Sequence, residues 1–370
     1  MEFDDMLSLS PYSLDREEKK KLLGTRLGEL TRRHRENCRE YREVLELLQS
    51  SSFTDACGGR DDMAGDVEDQ YDCPFLPVRM FKDMELRSIP QEEVFKTMTS
   101  SGTTGQQVSK IFLDRETSSR QQKTLVKIVR EFTGNARLPM LIIDSPSVIK
   151  DRRMFSARGA GILGFSIFAS DRKYALKEDM TIDLEGISEF LEKHQGKKIL
   201  LFGFTFMIWQ HFYRELAKCP GKVDLCEGVL IHGGGWKKLQ NEKVEPEEFK
   251  AELQRVCGIS QIHDYYGMVE QTGCIYMECE HGHLHASIFS DVIARRKDDF
   301  SVCPFGEEGI IQVVSAIPES YPGHSILTED MGVILGEDDC PCGRLGKYFK
   351  ITGRIKNAEV RGCSDTYEQK

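Results

Sequence analysis

The amino-acid sequence predicts an α/β fold. Short, almost wholly apolar runs, typical of buried strands, alternate in the middle of the chain with segments whose apolar residues recur at helical spacing. The apolar runs are residues 138–144, 198–204 and 228–235, and the helical patterns cover residues 115–132, 187–194, 206–217 and 247–256. This alternation indicates βαβ units, in which helices flank a sheet.

Length and composition set the limits of this prediction. The 370 residues, of which 39% are hydrophobic, suffice for one large domain with smaller appendages. The net charge of -10 excludes nucleic-acid binding as the main function, because phosphates require a basic surface. We find no membrane-spanning stretch and an acidic N-terminus, so we expect a cytoplasmic protein whose twelve cysteines are reduced.

The N-terminal part, residues 1–72, is predicted to be helical and then to form a loop. From Ser13 to Gln49 the pattern predicts one long amphipathic helix, or two helices joined at 24–28, packed on the main body. The charged run at residues 17–21 predicts a solvated helix face. Residues 50–72 are polar and contain glycine, which indicates a loop.

The remaining chain divides into three parts. We expect an α/β core at residues 73–260, followed at residues 261–356 by a smaller β-rich lobe with strands near 309–317 and 332–336. The last part, residues 357–370, is a short polar tail that we expect to be flexible.

The run TSSGTTGQQVSK, residues 99–110, predicts an anion-binding loop. Its glycines allow successive backbone N–H groups to converge on one anion, and its hydroxyl groups add donors to phosphate oxygens. It lacks the Gly-Lys-Ser/Thr of a Walker A loop. The residues predicted to bind a triphosphate are Ser100, Ser101, Gly102, Thr103, Thr104, Gly105 and Lys110.

This run resembles the phosphate loop of adenylate-forming enzymes, the superfamily of acyl-CoA ligases and luciferase-type synthetases. Four further segments resemble motifs of that superfamily in the same order: HGGGWK (232–237), YYGMVEQTG (265–273), LTEDMGVI (327–334) and ITGRIK (351–356). The resemblance implies an N-terminal-type domain with mixed sheets flanked by helices, plus a smaller β-rich lobe. It assigns Gly234, Gly235, Tyr266 and Gly267 to the adenine side, Glu270 to magnesium, Asp330 to the ribose hydroxyls and Arg354 to ribose or phosphate.

The reaction implied by the resemblance is carboxylate activation. The carboxylate attacks the α-phosphate of ATP, pyrophosphate leaves, and an acyl-adenylate forms with help from Mg²⁺ and positively charged groups. The superfamily's mobile C-terminal domain normally delivers a lysine to this step, and we expect that domain to be absent here. Lys237 or Lys110 is therefore the candidate to replace that lysine.

By its length, by TSSGTTG, by GGGWK and by a Gly-Cys near its end, the chain resembles more specifically the LuxE-type acyl-protein synthetases of the bacterial fatty-acid reductase complex. The resemblance implies a fatty acid or other carboxylic acid as substrate and Cys363 as the acylated nucleophile. It also implies an acyl-accepting partner protein, such as an acyl reductase. A cysteine on a short tether samples the active site at high effective concentration.

Two further segments, CEHGHLH (279–285) and CPCGR (340–344), have spacings that suit tetrahedral zinc. The alternating histidines 281, 283 and 285 leave the nitrogen ligand open by pattern alone, and Cys274 is an alternative sulfur ligand. Phenylacetate-CoA-ligase-like proteins have a similar arrangement, and that resemblance implies the set Cys279, His285, Cys340 and Cys342. Four protein ligands indicate structural zinc, the alternative being unmetallated cysteines.

Two alternative functions remain at the level of sequence. An AMP-forming acyl- or aryl-CoA ligase would share the nucleotide motifs but pass the acyl group to coenzyme A. A non-catalytic scaffold containing zinc would explain the Cys/His segments alone. The apolar segments 157–168 and 203–212 are candidates for an acyl tunnel or for ordinary core.

Overall fold

The computed structural model describes residues 3–50, 73–100, 107–149 and 157–355, and these form two compact units. Unit 1 comprises residues 3–50, 73–100, 107–131 and 267–355, whereas unit 2 comprises residues 132–149 and 157–266. Each unit combines helices with a sheet, so the predicted α/β class is confirmed. The domain boundaries proposed from sequence at residues 72, 260 and 356 stay predictions.

Helices and strands occur throughout both units. The helices are α1 (Phe3–Met6), α2 (Arg16–Asn37), α3 (Arg39–Ser50), α4 (Met80–Asp83), α5 (Arg115–Thr133), α6 (Ala157–Phe165), α7 (Leu184–Lys193), α8 (Thr205–Met207), α9 (Arg214–Leu216) and α10 (Pro246–Cys257). The strands are β1 (Leu76–Pro77), β2 (Lys96–Thr99), β3 (Lys110–Leu113), β4 (Leu138–Ile143), β5 (Ala169–Tyr174), β6 (Ile199–Phe204), β7 (Gly228–Gly233), β8 (Gln261–Tyr266), β9 (Tyr276–Glu278), β10 (Leu284–His285), β11 (Ser290–Arg295), β12 (Glu308–Ser315), β13 (Ser325–Glu337) and β14 (Lys347–Arg354). No helix in the described ranges is long and apolar enough to span a bilayer.

The sheet of unit 2 is parallel, with strands in the order β5, β4, β6, β7, β8. Every residue of β6 and β7 is buried, as expected for a parallel sheet that helices cover on both faces. The predicted strands at 138–144, 198–204 and 228–235 are therefore confirmed to within two residues.

The helices of unit 2 begin and end at residues suited to those positions. Asp183 caps α7 by accepting a hydrogen bond from the Gly186 N–H at 3.2 Å, and α10 has Pro246 in its first turn. Gly258 ends α10 with a φ of 77°, a left-handed conformation that favours glycine. The pattern at 206–217 is helical as predicted, although α8 and α9 flank a π-helical segment at Ile208–Tyr213.

The sheet of unit 1 is antiparallel in the order β11, β12, β13, β14, β10, β9. β1 adds to β13 in parallel, and β2 pairs with β3 as a separate hairpin. The predicted strand at 309–317 corresponds to β12, and the one at 332–336 is the end of the 13-residue β13. The predicted β-rich part at the C-terminal side is therefore present, and it belongs to unit 1 together with the N-terminal helices.

The N-terminal helices pack on unit 1, as predicted. Asp15 caps α2 through the Glu18 N–H at 3.0 Å, and the helix continues unbroken through Gly24 and Gly28. It ends at Asn37, and α3 begins at Arg39 after the extended backbone of Cys38. Two helices are therefore present, but both the single helix over residues 13–49 and the joint at residues 24–28 are wrong. The Arg26 Nε donates to the Ala316 carbonyl at 3.1 Å, which ties α2 to the segment after β12.

One residue of the charged run 17–21 contradicts the prediction of a solvated face. Lys19 is 3% exposed, and its Nζ donates to the Ala286 carbonyl at 3.1 Å and lies 3.6 Å from Asp291 Oδ1. Asp291 also accepts from Lys347 Nζ at 2.7 Å, and both of these side chains are 1% exposed. A buried ammonium needs such partners because desolvation is costly, and these partners lie more than 260 residues away in sequence.

Candidate active site and candidate metal centre

The β2–β3 hairpin holds both ends of the predicted phosphate loop. Thr99 and Lys110 are paired across the hairpin. The Ser100 N–H donates to the Ser109 carbonyl at 3.1 Å, and the Ser109 N–H donates to Ser100 Oγ at 2.9 Å. The hairpin therefore closes the base of the loop with two hydrogen bonds. Residues 101–106, which contain Ser101, Gly102, Thr103, Thr104 and Gly105, lie outside the described residues.

Glu270 lies in a 3₁₀ turn, Val269–Gln271, and is 1% exposed. Its Oε1 accepts a hydrogen bond from Ser109 Oγ at 2.6 Å, a short distance typical of a hydroxyl donating to a carboxylate. The glutamate proposed for magnesium thus contacts the base of the proposed phosphate loop within unit 1.

The turn that carries Glu270 is itself anchored. The Tyr321 hydroxyl donates to the Glu270 carbonyl at 2.8 Å, and burial raises the pKa of Tyr321, which keeps this hydroxyl protonated. The Gln271 Nε2 donates to the Val313 and Gly323 carbonyls at 3.1 and 2.9 Å. These bonds restrict where the Glu270 backbone can lie.

Asp330 and Arg354 form an ion pair. They are opposite each other on β13 and β14, and Arg354 Nε lies 3.0 Å from Asp330 Oδ1. The Asp330 N–H donates to Thr328 Oγ1 at 3.1 Å, and Arg354 also approaches Glu329 at 3.4 Å. The structure therefore brings together the two residues assigned by resemblance to the ribose end of the nucleotide, and it places Arg354 at the end of a strand.

The remaining nucleotide-motif residues of unit 2 lie after β7 and at the end of β8. Gly234 has a φ of 80°, which favours glycine, and an added Cβ there would lie 3.2 Å from the Phe204 ring. The preceding Gly233 lies against the Tyr265 ring, which a Cβ would approach to 2.6 Å. Gly235 follows Gly234, and Tyr266 is the last residue of β8. Gly267 begins the next part of unit 1.

The structure describes the side chain of only one of the two candidate lysines, and it does not describe the candidate nucleophile. Lys110 is half exposed and lies 3.6 Å from Glu85 in an ion pair. The side chain of Lys237 and the whole of Cys363 lie outside the described part of the chain. The roles assigned to these three residues stay predictions.

Two loops of unit 1 bring four metal-ligating side chains together. The ligand atoms of Cys279, His285, Cys340 and Cys342 all lie within 4.8 Å of one another. Cys279 Sγ is 4.0 Å from Cys340 Sγ, and Cys342 Sγ is 3.4 Å from His285 Nε2. This group is the set that the resemblance implied. Cys274 lies outside it, with its Sγ 3.2 Å from Ser315 Oγ.

The other two histidines of CEHGHLH also lie at this cluster. The His281 backbone N–H donates to Cys279 Sγ at 3.4 Å, and His283 Nδ1 is 3.4 Å from Cys340 Sγ. The Tyr348 ring stacks on His283 and His285 with centroids 4.9 and 5.7 Å away. These contacts position the loop and restrict the orientation of both rings.

Burial governs the electrostatics of the cluster. Desolvation raises the pKa of Cys340 to about 12 and also raises that of Cys279, while it lowers the pKa of His285 to about 4. Cys279 and Cys340 are thus protonated and the imidazole of His285 is neutral when no cation is bound. A divalent cation would favour the thiolates and accept the neutral imidazole without further change.

Sequence reasoning missed the contacts that organise the candidate active site. Ser109 was part of the quoted run but was given no role, and Tyr321 was not considered. Ser109 and Glu270 are 161 residues apart, so only the fold reveals their hydrogen bond. Ser109 directly precedes Lys110, but this position did not predict a contact with Glu270, because a hydroxyl group in a phosphate loop is ordinarily assigned to phosphate binding.

Comparisons with known proteins identify the family of this chain. A family model described as "Acyl-protein synthetase, LuxE" matches residues 1–370. The chain is 25% identical over 382 residues to a long-chain-fatty-acid–luciferin-component ligase of Vibrio harveyi, with 100% of this chain and 93% of that protein covered. A ligase of the same name from Aliivibrio fischeri is 25% identical over 308 residues, covering 79% and 76%.

Solved structures show the same fold. An open conformation of 2-hydroxyisobutyryl-CoA ligase in complex with 2-HIB-AMP and CoA superimposes with a TM-score of 0.68 at 15% identity, covering 95% of this chain and 78% of that one. The postadenylation state of that ligase superimposes with a TM-score of 0.67 at 14% identity, covering 94% and 70%. The chain therefore has the fold of adenylate-forming ligases and belongs to the acyl-protein synthetase family, LuxE.

Proposed function

We propose that this protein uses ATP and Mg²⁺ in the cytoplasm to convert a long-chain fatty acid to an acyl-adenylate. The acyl group then passes to Cys363 as a thioester and from there to a partner protein such as an acyl reductase. The substrate class is supported by the names of the relatives from Vibrio harveyi and Aliivibrio fischeri, which are long-chain-fatty-acid–luciferin-component ligases. The acceptor is supported by membership of an acyl-protein synthetase family.

The observation that carries the proposal is the hydrogen bond between Ser109 and Glu270. A magnesium ion on a triphosphate requires a carboxylate ligand next to the loop that binds the phosphates. Glu270 offers a hard oxygen ligand, and it lies at the base of the loop that begins at Ser100. The pair of Asp330 and Arg354 adds a carboxylate for the ribose hydroxyls and a cation.

The proposed reaction has two steps, adenylation of the fatty acid and transfer of its acyl group to Cys363. A carboxylate oxygen of the fatty acid bonds to the α-phosphorus of ATP, and the bond from that phosphorus to pyrophosphate breaks. The Cys363 thiolate then attacks the acyl carbon, the bond to AMP breaks, and the thiol proton has gone to solvent. Mg²⁺ held by Glu270 would supply charge neutralisation, and the donors of residues 100–105 are the groups predicted from sequence to bind the phosphates.

A cation must offset the approach of two anions in the first step. We assign this role to Lys237, with Lys110 as the second candidate. Lys110 follows the loop directly and is exposed enough to leave its ion pair with Glu85. A Lys110→Ala or Lys237→Ala variant identifies the residue by the loss of ATP-dependent pyrophosphate release.

We also assign structural zinc to the cluster of Cys279, His285, Cys340 and Cys342. Tetrahedral zinc with bonds of about 2.3 Å to sulfur and about 2.0 Å to nitrogen separates two sulfurs by about 3.8 Å and a sulfur from a nitrogen by about 3.5 Å. Here one pair of sulfurs is 4.0 Å apart, one sulfur lies 3.4 Å from the nitrogen, and all four ligand atoms lie within 4.8 Å of one another. The donor set therefore fits zinc, and four protein ligands leave no site for substrate.

The test is incubation with ATP, Mg²⁺ and radiolabelled fatty acids in the absence of coenzyme A. We expect pyrophosphate release and hydroxylamine-labile label on the protein. Cys363→Ser should lose the label while pyrophosphate release remains, whereas the matched control Cys226→Ser, at an exposed cysteine, should keep both.

Three outcomes contradict parts of the proposal. Label retained in Cys363→Ser would exclude that cysteine as the acyl carrier. Acyl-CoA formed on addition of coenzyme A, without labelled protein, would indicate the CoA-ligase alternative. The absence of both label and pyrophosphate release would favour a non-catalytic scaffold.

A further inference from the structure

We propose that Ser109 is a positioning residue that orients the Glu270 carboxylate toward Mg²⁺·ATP and couples it to the base of the phosphate loop. This inference rests on the proposed function. It adds a residue to the nucleotide site that neither the family match nor the motif resemblance assigns.

The first step of the argument is the direction of the hydrogen bond. Ser109 is fully buried and its Oγ lies 2.6 Å from Glu270 Oε1. A carboxylate only accepts, so the single hydroxyl proton of Ser109 points at Oε1. The bond is charge-assisted and therefore stronger than an ordinary hydroxyl bond, which restricts the rotamer of the Glu270 side chain.

The second step is that Ser109 is also bound to the other end of the loop. Its N–H donates to Ser100 Oγ, and its carbonyl accepts from the Ser100 N–H. The backbone groups of Ser109 close the loop, while its side chain holds Glu270. One residue thus links the groups proposed to bind phosphates with the group proposed to bind their metal ion.

The third step is that the Glu270 backbone is held independently of Ser109. The Tyr321 hydroxyl binds the Glu270 carbonyl, and Gln271 is tied to the carbonyls of Val313 and Gly323. Loss of the Ser109 hydroxyl therefore removes one restraint on the carboxylate while leaving its backbone in place. The expected consequence is a defect in metal-nucleotide binding in a folded protein.

The test compares two affinities. The affinity for Mn²⁺·ATP is measured by electron paramagnetic resonance of Mn²⁺, and the affinity for metal-free ATP is measured by titration calorimetry in EDTA. We expect Ser109→Ala to weaken Mn²⁺·ATP binding by about tenfold, the effect of losing one hydrogen bond to a charged group. Metal-free ATP should bind the variant within about twofold of the wild-type affinity, because the backbone bonds of Ser109 remain.

Two further variants keep the result interpretable. Ser109→Thr retains a hydroxyl and should restore Mn²⁺·ATP binding, and Ser109→Cys, with a weak donor of similar size, should fall between serine and alanine. The matched control is Ser320→Ala. It removes a buried hydroxyl that donates to the Phe112 carbonyl on β3 at 2.8 Å, and it should bind both ligands as the wild type does.

Several outcomes would overturn the inference. Equal weakening of Mn²⁺·ATP and metal-free ATP in Ser109→Ala would mean that Ser109 only supports the loop. Unchanged Mn²⁺·ATP binding in both Ser109→Ala and Ser109→Cys would exclude a positioning role. Wild-type protein that binds no nucleotide would contradict the proposed function and this inference with it.

Discussion

The two units stabilise their sheets in different ways. In unit 2, β4 and β6 contain only apolar residues and glycine, and all but the first residue of β4 is buried. In unit 1, the sheet itself buries charged side chains, Asp291 on β11 and Lys347 on β14, and α2 adds the buried Lys19. Strands β4 and β6 of unit 2 therefore depend on apolar volume, whereas strands β11 and β14 of unit 1 depend on polar partners supplied by distant parts of the chain.

The largest expected effect concerns the Cys/His cluster of unit 1. Cys340→Ser should abolish zinc binding and lower the free energy of unfolding of unit 1 by at least about 5 kcal/mol, because structural zinc contributes folding energy directly. Metal analysis and hydrogen exchange of unit 1 peptides measure both effects. Cys303→Ser, at a buried cysteine outside the cluster, should keep the metal.

The zinc assignment fails if wild-type protein purified without chelator carries no zinc. Equal destabilisation by Cys303→Ser and Cys340→Ser would contradict the conclusion that unit 1 depends on polar partners.

The next effect in size concerns Asp291. Asp291→Ala leaves the ammonium groups of Lys19 and Lys347 buried without their carboxylate, so we expect unit 1 to lose about 3–5 kcal/mol of unfolding free energy. Glu307→Ala, which breaks a partly exposed ion pair with Arg296 in the same unit, should cost less than about 1 kcal/mol. Denaturant unfolding followed by hydrogen exchange gives both values, and equal losses would contradict the comparison.

A smaller effect is expected from the apolar sheet of unit 2. Leu201 on β6 is 1% exposed, and Leu201→Ala should destabilise unit 2 by about 3 kcal/mol through lost burial and the cavity left behind. Leu201→Met, which nearly conserves volume, should cost less than about 1.5 kcal/mol. If the two variants were equally destabilised, side-chain volume would not be what this sheet depends on.

The smallest effect is a pH dependence in unit 1. Burial lowers the pKa of His324 to about 3, and Thr31 Oγ1 contacts its Nε2 at 3.0 Å. The unfolded chain takes up a proton near pH 6.5, which the folded protein does not, so stability falls as the pH drops below 6.5. At pH 5 this group should cost about 2 kcal/mol relative to pH 8.

His324→Asn should remove that part of the pH dependence. The measurement is the unfolding free energy of unit 1 at pH 8 and pH 5 in both proteins. If wild type and variant lost the same unfolding free energy between pH 8 and pH 5, the pH dependence could not be assigned to His324.

The difference between the apolar strands of unit 2 and the polar contacts of unit 1 also explains how much of the fold could be predicted from the sequence. Strands β4, β6 and β7 were located from sequence because a buried parallel strand is a continuous apolar run. β13 was predicted only at residues 332–336, because Thr328, Glu329 and Asp330 resemble a loop and their pairing with β14 is not a local property. Lys19 was predicted to be solvated for a related reason, since its partner Asp291 is not visible in the local pattern.

The candidate site was predictable to the extent that its residues occur in motifs. The three cysteines and one histidine of the cluster were named from sequence and lie close to one another in the structure. The same holds for the pair of Asp330 and Arg354. Ser109 was not, because its partner Glu270 is 161 residues away and the contact requires both the β2–β3 hairpin and the turn after β8. Motifs indicate which residues take part, and the fold determines which of them touch.

The discontinuity of unit 1 has a consequence for synthesis. Unit 2 is nearly continuous in sequence, so it can fold once residue 266 has left the ribosome. Unit 1 joins Lys19 on α2 to Lys347 on β14 through Asp291, and β1 pairs with β13. At ordinary rates of translation α2 therefore waits on the order of tens of seconds for its partners. During that interval the apolar side of α2, with Leu23, Leu27 and Leu30, is open to chaperones and to aggregation.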